Sequence, residues 1–291
     1  PDPRAVASAP VGQDRRVTRR WTPLDIARQD RSPYVDALTA FIDAEHVRWG
    51  IPGHQGSPEA QTFLAEYVGE DVLRLDVQTM VQGIDLGPGN PFDESLDLAA
   101  EAWGARRTWF LTNGSSQGNL VAGLAVAGLG GSLVAQRSVH SSVVDALAMS
   151  GLEATFVTPD IDTSLGILHT LTPQALDEAL DATPDAAAAI VVTPSYFGAC
   201  ADVEALVAVA HAHDVALVVD EAWGAHLGFH PDLPTNAARL GADLVIASMH
   251  KLGGSLGQTA LIHLGHGPYA DRLEPLVDRA MRSMRSTSES T

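Results

Sequence analysis

Short apolar runs alternate with amphipathic stretches along most of this 291-residue sequence. Six runs are apolar on both faces and predict buried strands, at residues 108–111, 132–135, 154–157, 188–192, 216–219 and 244–247. Five stretches repeat their apolar residues at helical spacing and predict helices, at residues 94–103, 116–127, 141–150, 173–180 and 203–213. Buried strands that alternate with helices are typical of a mainly parallel sheet covered on both faces, so the sequence predicts an α/β fold.

The first third of the sequence shows helical spacing, a loop and an aperiodic segment, and no run that predicts a buried strand. Helical spacing predicts helices at residues 34–49 and 57–68, and the stretch 83–91, rich in Gly and Pro, predicts a loop. The residues at the N-terminus are aperiodic and rich in Pro, Ala and Arg, which indicates an arm rather than a packed element. We therefore expect an N-terminal arm over residues 1–20 and one large domain over residues 21–291.

The charge balance restricts the class of partner. The 36 acidic residues outnumber the 18 basic ones and give a formal net charge of -18, which disfavours nucleic acid and anionic membranes. The uncharged stretch 115–136 is long enough to cross a bilayer, but its glycines indicate a helix, a turn and a buried strand. The single cysteine, Cys200, excludes an intrachain disulfide framework and fits a reducing compartment, so we expect a cytoplasmic protein.

Polar side chains follow five of the predicted strands directly. They occupy residues 112–116, 136–140, 193–196, 220–221 and 248–251. Because ligands of open α/β sheets bind outside the carboxyl ends of the strands, we expect these residues to line one site.

Two of these strand ends carry residues with several chemical uses. Lys251 could form an ion pair, bind a phosphate or act as an amine nucleophile that forms a Schiff base. Asp220 could cap a helix or bind a metal; in a pyridoxal phosphate (PLP) site, an Asp so placed keeps the pyridine nitrogen protonated. The small Ala222 would let a flat ring approach the backbone.

The other strand ends also leave alternatives open. The turn at residues 113–116 opens a predicted helix, where Ser115 and Ser116 could bind a phosphate or simply cap the helix. His140 could stack on a planar ring or cap the next helix. We expect no metal site, because His211 and His213 fall on different faces of one helix and no metalloprotease or Cys-x-x-Cys motif is present.

Taken in order, these strand-end residues resemble the large domain of the Orn/Lys/Arg decarboxylases, which are PLP enzymes of fold type I. The similarity is greatest to the shorter bacterial arginine/lysine decarboxylase branch. It runs from about Thr22 to the last residue and is carried by residues 51–54, 98–102, 113–116, 139–140, 193–198, 220–222 and 248–255.

The resemblance implies a role for each site residue. Lys251 would form a Schiff base with PLP, Asp220 would pair with the pyridinium nitrogen, and His140 and Ala222 would lie against opposite faces of the ring. The implied phosphate ligands are Ser115, Ser116, Ser248 and His250. The implied reaction is decarboxylation of arginine, lysine or ornithine to a diamine or agmatine, a step of polyamine biosynthesis. The family also implies a homodimer or higher homo-oligomer, because its sites lie at the subunit interface.

Several positions depart from the family pattern. Gln55 and Ser141 stand where the family commonly has Lys, Leu86 lies in a loop that commonly carries His, and Trp223 replaces the His of the short branch. These departures concern residues near the substrate, so an aminotransferase or lyase remains an alternative reaction. The sequence also ends in a Ser/Thr-rich segment, 286–291, after which the family continues into a C-terminal domain. We therefore expect that domain to be absent, and a non-catalytic fragment is a third hypothesis.

Overall fold

The computed structural model describes residues 23–44 and 46–284. Its helices are α1 (Ile26–Gln29), α2 (Pro33–Asp43), α3 (Thr62–Val68), α4 (Glu70–Leu75), α5 (Pro91–Trp103), α6 (Gly114–Val126), α7 (Ser141–Ser150), α8 (Pro173–Asp181), α9 (Val203–Ala212), α10 (Met249–Leu252) and α11 (Ala270–Met284). Its strands are β1 (Arg107–Leu111), β2 (Ser132–Gln136), β3 (Glu153–Val157), β4 (Ile161–Asp162), β5 (Ile167–Leu168), β6 (Ala186–Val192), β7 (Ala216–Asp220), β8 (Leu244–Ala247) and β9 (Ala260–Leu264). The predicted arm and the segment 286–291 lie outside the described residues.

Seven strands form one sheet in the order β1-β9-β8-β7-β6-β2-β3. The pairs β8-β7, β7-β6, β6-β2 and β2-β3 are parallel, while β9 runs antiparallel to both of its neighbours, β1 and β8. The prediction of a mainly parallel α/β sheet is therefore confirmed. Because β9 alone is reversed, the six strands predicted from the sequence all end at the same edge, which we call the carboxyl edge.

Successive residues of the central strands enter two separate cores. On β7, Ala216 and Val218 pack in one cluster with residues of α6 and α11, and Leu217 and Val219 pack in another with residues of α8 and α9. All four are at most 1% exposed. A strand buried on both faces reads as a continuous apolar run, which is why the sequence pattern located these strands correctly.

The structure corrects two predicted helices before the sheet. The helix predicted at residues 34–49 ends at Asp43, because Val47 and Trp49 are 77% and 88% exposed and have no core to pack against. The helix predicted at residues 57–68 begins only at Thr62; the hydroxyl of Ser57 instead accepts a hydrogen bond from the Ala60 N–H, 3.2 Å away, in the preceding turn.

The uncharged stretch at residues 115–136 divides as expected. It contributes most of α6, a glycine-containing turn and strand β2, all inside the domain. In the part of the chain that the structure describes, no helix is both long and apolar enough to cross a membrane.

Gly118 allows α6 to pack closely on the sheet. A Cβ at this position would lie 2.7 Å from Cγ2 of Ile246 on β8 and 3.0 Å from Cδ1 of Leu111 on β1. Distances of this size are shorter than van der Waals contact, so only glycine lets the helix approach the strand that precedes the residue-248–251 segment.

We therefore expect Gly118→Ala to lower the free energy of unfolding by about 1–2 kcal/mol, because overpacking outweighs the better helix propensity of alanine. Denaturant unfolding at equilibrium measures this difference. Gly131→Ala is the matched control, since a Cβ there meets nothing within 4 Å, and it should change stability by less than about 1 kcal/mol. Equal stabilities for the two variants would contradict this account of the packing.

Candidate active site

Lys251 lies on α10, the short helix that follows β8 at the carboxyl edge. Its Nζ lies 4.4 Å from the centre of the Trp223 ring, a cation–π contact. Burial lowers the pKa of the Lys251 ammonium below its ordinary value, and the nearby Asp220 carboxylate opposes that shift. A lowered pKa increases the fraction of free amine, which is the form that attacks carbonyl groups.

Lys251 is also the only lysine in the sequence; every other basic residue is an arginine. A guanidinium stays protonated in proteins and does not form a Schiff base under ordinary conditions. The chain therefore offers one side-chain amine for such chemistry, and the structure places it at the carboxyl edge. Our sequence reasoning relied on local motifs and missed this signal, which a count of residue types reveals.

Asp220 ends β7 and is only 3% exposed. Its Oδ1 accepts a hydrogen bond from the Ala222 N–H at 3.1 Å, and its Oδ2 accepts one from Nδ2 of Asn119 at 3.0 Å. Ala222 is buried beside it, as the prediction of a close ring approach requires. The carboxylate is thus fixed in orientation by a helix side chain and by its own chain.

The start of α6 provides hydrogen-bond donors for an anion. Gly114 adopts a positive φ of 69°, and the helix continues through Ser115 and Ser116, both half-buried. Neither serine hydroxyl bonds to another described residue. A Cβ on Gly114 would lie 3.9 Å from Cε1 of His250, so this turn and His250 are neighbours. Hydroxyls and free N–H groups at the start of a long helix suit a phosphate.

Ser248 and His250 are close to each other at the end of β8. Oγ of Ser248 lies 3.3 Å from Nδ1 of His250, and the backbone N–H of His250 donates to the Thr259 carbonyl at 3.2 Å. The structure therefore places His250 next to the turn that begins α6 and Ser248 next to His250.

His140 forms the N-cap of α7, and its Nδ1 accepts a hydrogen bond from the Ser142 N–H at 3.2 Å. The capping alternative from the sequence is thus correct, and it leaves the exposed ring at the carboxyl edge. Hydrogen bonds through Ser142 and Asn119 connect His140 to Asp220. Sequence reasoning missed both connecting residues; the available signal was Asn119, a buried amide among the largely apolar residues of α6.

These observations test whether PLP fits the residues present. One edge of the sheet carries a group for each part of the cofactor. The amine suits the aldehyde, and the buried carboxylate suits the pyridine nitrogen. The two donor-bearing turns suit the phosphate, and the small residue beside the carboxylate leaves room for the flat ring. The donor set therefore fits the cofactor.

The histidines considered for metal binding serve other purposes. His211 Nε2 contacts Asp243 Oδ2 at 2.9 Å, and His213 Nε2 contacts Asp177 Oδ1 at 2.6 Å. Among residues 23–44 and 46–284, no group of three or more His, Cys, Asp or Glu side chains could hold a metal ion.

The topology and the residues of the carboxyl edge define the class of protein: an α/β large domain of fold type I, the fold of many PLP enzymes. The chain belongs to the Orn/Lys/Arg decarboxylase family, since the model of that family's major domain matches residues 32–290.

Individual relatives agree with this assignment. The arginine decarboxylase of Halalkalibacterium halodurans is 36% identical over 265 residues, which are 90% of this chain and 54% of the relative. The structure of the constitutive lysine decarboxylase of Escherichia coli has a TM-score of 0.73 and 24% identity, over 89% of this chain and 39% of that one. The PLP-dependent protein YhfS from E. coli has a TM-score of 0.51 and 15% identity, over 93% of this chain and 61% of that one. The chain thus spans about half the length of its curated relative.

Glu221, directly after Asp220, is 1% exposed. Its Oε1 accepts a hydrogen bond from the Ala237 N–H at 2.9 Å, whereas its Oε2 has no partner among the described residues. Burial raises the pKa of Glu221 from its ordinary 4.5 to about 8, and the Ala237 hydrogen bond only partly offsets this. Burial and the Glu221 charge in turn raise the pKa of the Cys200 thiol to about 11, which agrees with an unreactive, structural cysteine.

This shift predicts a specific pH dependence of stability. Between the unfolded pKa of 4.5 and the folded pKa of about 8, the native state holds a proton on Glu221 that the unfolded state has lost. The contribution of Glu221 to the free energy of unfolding is complete below pH 4.5, the unfolded pKa. It falls by about 1.4 kcal/mol per pH unit as the pH rises from there to the folded pKa. Glu221→Gln stays neutral, so its free energy of unfolding should rise relative to wild type across the window.

Urea unfolding at several pH values measures this difference. Glu153→Gln is the matched control, because Glu153 is exposed on β3, and its difference from wild type should stay constant with pH. A Glu221→Gln curve parallel to that of wild type would show that Glu221 is not protonated in the native state.

Proposed function

We propose that residues 21–291 form the cofactor-binding large domain of a PLP-dependent decarboxylase that acts on a basic amino acid. The observation that carries this proposal is the position of Lys251. The only lysine of the sequence lies at the carboxyl edge with a lowered pKa, close enough to the buried Asp220 for their charges to interact.

The cofactor would be held by the residues that this edge brings together. Lys251 is the amine that would attach it, and Asp220 would keep a proton on its pyridine nitrogen. His140 and Ala222 would flank the ring, and the phosphate would bind Ser115, Ser116, Ser248 and His250. When bound, PLP supplies an electron sink for the electron pair left on the substrate Cα after a bond breaks.

Two residues of the chain, Asp220 and Lys251, are placed to hold or exchange the protons that such a reaction needs. Asp220 is fixed by two hydrogen-bond donors, so its carboxylate can face a protonated nitrogen without reorganising. Lys251 has a lowered pKa, so it gives up its proton more readily than an exposed lysine does. The Trp223 ring holds the charged form by a cation–π contact, which gives the ammonium a defined place beside the site.

The substrate class follows from the relatives and from charge. The relative described above is an arginine decarboxylase, and the matching solved structure is a lysine decarboxylase. A net charge of -18 favours a cationic substrate over an anionic one. We therefore propose arginine, lysine or ornithine as substrate, with agmatine or a diamine as product and a place in polyamine biosynthesis.

We further propose a cytoplasmic homodimer or higher homo-oligomer. A single cysteine fits a reducing compartment. A dimer is supported by membership of the family, whose resemblance implies sites at the subunit interface.

The attachment of the cofactor can be tested by borohydride trapping. Purified protein incubated with PLP and then reduced should carry one phosphopyridoxyl group, and peptide mapping should place it on Lys251. Lys251→Arg is the matched variant, because it keeps the positive charge and leaves no side-chain amine in the chain. We expect no side-chain label and no visible absorption band after dialysis of the variant. An unlabelled wild-type protein, or equal labelling of both proteins, would contradict the proposal.

The reaction itself is tested by its products. With arginine, lysine and ornithine offered separately, we expect release of CO2 and the matching amine, reduced at least about a thousandfold in Lys251→Arg because the covalent route is lost. Formation of a keto acid without CO2 would favour an aminotransferase, the alternative that Gln55 and Leu86 raised. Binding of PLP without any turnover would favour a non-catalytic role.

The structure bears on that alternative at one point. Gln55 lines a cavity of about 350 Å3 together with residues between Phe41 and Gln78, and none of the proposed site residues lines this cavity. The product assay described above therefore decides between the two reactions.

A further inference from the structure

Four side chains form one hydrogen-bonded chain behind the site. Nδ2 of Asn119 lies 3.0 Å from Oδ2 of Asp220 and 3.0 Å from Oγ of Ser142. Oγ of Ser142 lies 2.8 Å from Nδ1 of His140. The chain thus joins the end of β7 to the N-cap of α7 through one residue of α6 and the second residue of α7.

The interior of this chain is shielded from solvent. Asp220, Asn119 and Ser142 are each 3–4% exposed, whereas His140 is exposed. Buried polar atoms must satisfy one another, so the direction of each hydrogen bond can be derived from the chemistry of the groups.

The Asp220 carboxylate determines the orientation of the Asn119 amide group. An ionised carboxylate only accepts hydrogen bonds, so the atom facing it must be the amide nitrogen and not the oxygen. That nitrogen has a second hydrogen, which is donated to Oγ of Ser142. Asn119 therefore donates at both ends, and Ser142 must accept from it.

Ser142 determines which ring nitrogen of His140 carries the proton. The Ser142 backbone N–H donates to Nδ1 of His140 at 3.2 Å, so Nδ1 cannot carry a hydrogen. With Nδ1 unprotonated, the Ser142 hydroxyl, which already accepts from Asn119, donates its own hydrogen to the same nitrogen, and the two donors share its single lone pair. The ring proton therefore lies on Nε2, which bonds to no described residue and remains available to donate.

We propose that Asn119 and Ser142 are positioning residues that hold His140 as the Nε2–H tautomer and link its orientation to the Asp220 carboxylate. The relevance to cofactor binding rests on the proposed function, in which His140 and Asp220 contact the same ring. The tautomer and the hydrogen-bonded chain are properties of the protein alone.

The tautomer is measured directly in protein labelled with 15N-histidine and without added cofactor. A long-range 1H–15N correlation spectrum at a pH near 8 separates protonated from unprotonated ring nitrogens, and His140→Gln identifies the signals of His140. We expect an unprotonated Nδ1 and a protonated Nε2 in wild type. In Ser142→Ala the preference for the Nε2–H tautomer should fall about fivefold, the effect of one lost hydrogen bond.

Two further variants separate positioning from folding. Ser141→Ala changes the exposed neighbouring serine, and its His140 spectrum should match that of wild type. Ser142→Thr keeps the hydroxyl and should restore the wild-type tautomer preference. A protonated Nδ1 in wild type, or the same preference in wild type and Ser142→Ala, would overturn the proposal.

Equilibrium titration with PLP provides the second measurement. Ser142→Ala should bind PLP about fivefold more weakly than wild type and Ser142→Thr, because His140 is less well oriented. Equal affinities in wild type and Ser142→Ala would remove the link to the cofactor. If wild type binds no PLP at all, the proposed function fails, whereas the tautomer measurement still decides whether Asn119 and Ser142 position His140.

Discussion

Parallel pairing of β7 between β6 and β8 is the constraint on which the site depends. In this register Asp220 lies beside Val192 and beside Ile246, so the segments that follow these three residues leave the sheet at one edge. Lys251 is only five positions beyond Ile246, and the short α10 turns it back towards Trp223. Gly118 keeps α6 against the same strands, which places Asn119 within hydrogen-bond distance of Asp220. The positions of the amine and the carboxylate thus both follow from strand register.

Two adjacent carboxyl groups at this edge have different numbers of hydrogen-bond donors. Asp220 accepts from two donors, Asn119 and Ala222, and so keeps partners for both oxygens when charged. Glu221 is buried as deeply but has one donor for its two oxygens, and its pKa rises to about 8. Successive residues of a strand point to opposite faces, so one carboxyl faces α6 and the other faces the loop at Ala237. Strand geometry therefore separates a group suited to pairing with a cation from one that stays neutral near pH 7.

The sequence predicted those parts of the fold that depend on local pattern. The buried parallel strands and most of the site came from apolar runs and from the residues after them, because the carboxyl-edge rule needs no long-range contact. Strand β9 was missed because His263 interrupts its apolar run. The structure accommodates this histidine by a contact of 2.8 Å with Oγ1 of Thr108 and by stacking on Trp103, and burial lowers its pKa to about 3. The Asn119–Ser142 connection was also missed, since Asn119 and Asp220 are 101 positions apart and only the packing of α6 brings them together.

Lysine and arginine have different tasks in this chain: the single lysine lies at the proposed site, and the arginines form ion pairs. The ion pairs between α11 and the start of β1 all use arginine: Arg106, directly before the strand, pairs with Asp271 and Glu274, and Arg107 pairs with Glu274 and Asp278. Guanidinium groups stay protonated, so these contacts persist at any pH near neutrality. Lys251, whose pKa is lowered by burial, loses its proton more readily than these guanidinium groups do. A change in its protonation or covalent state therefore alters its cation–π contact with Trp223 and its electrostatic interaction with Asp220, and leaves the arginine ion pairs of α11 unchanged.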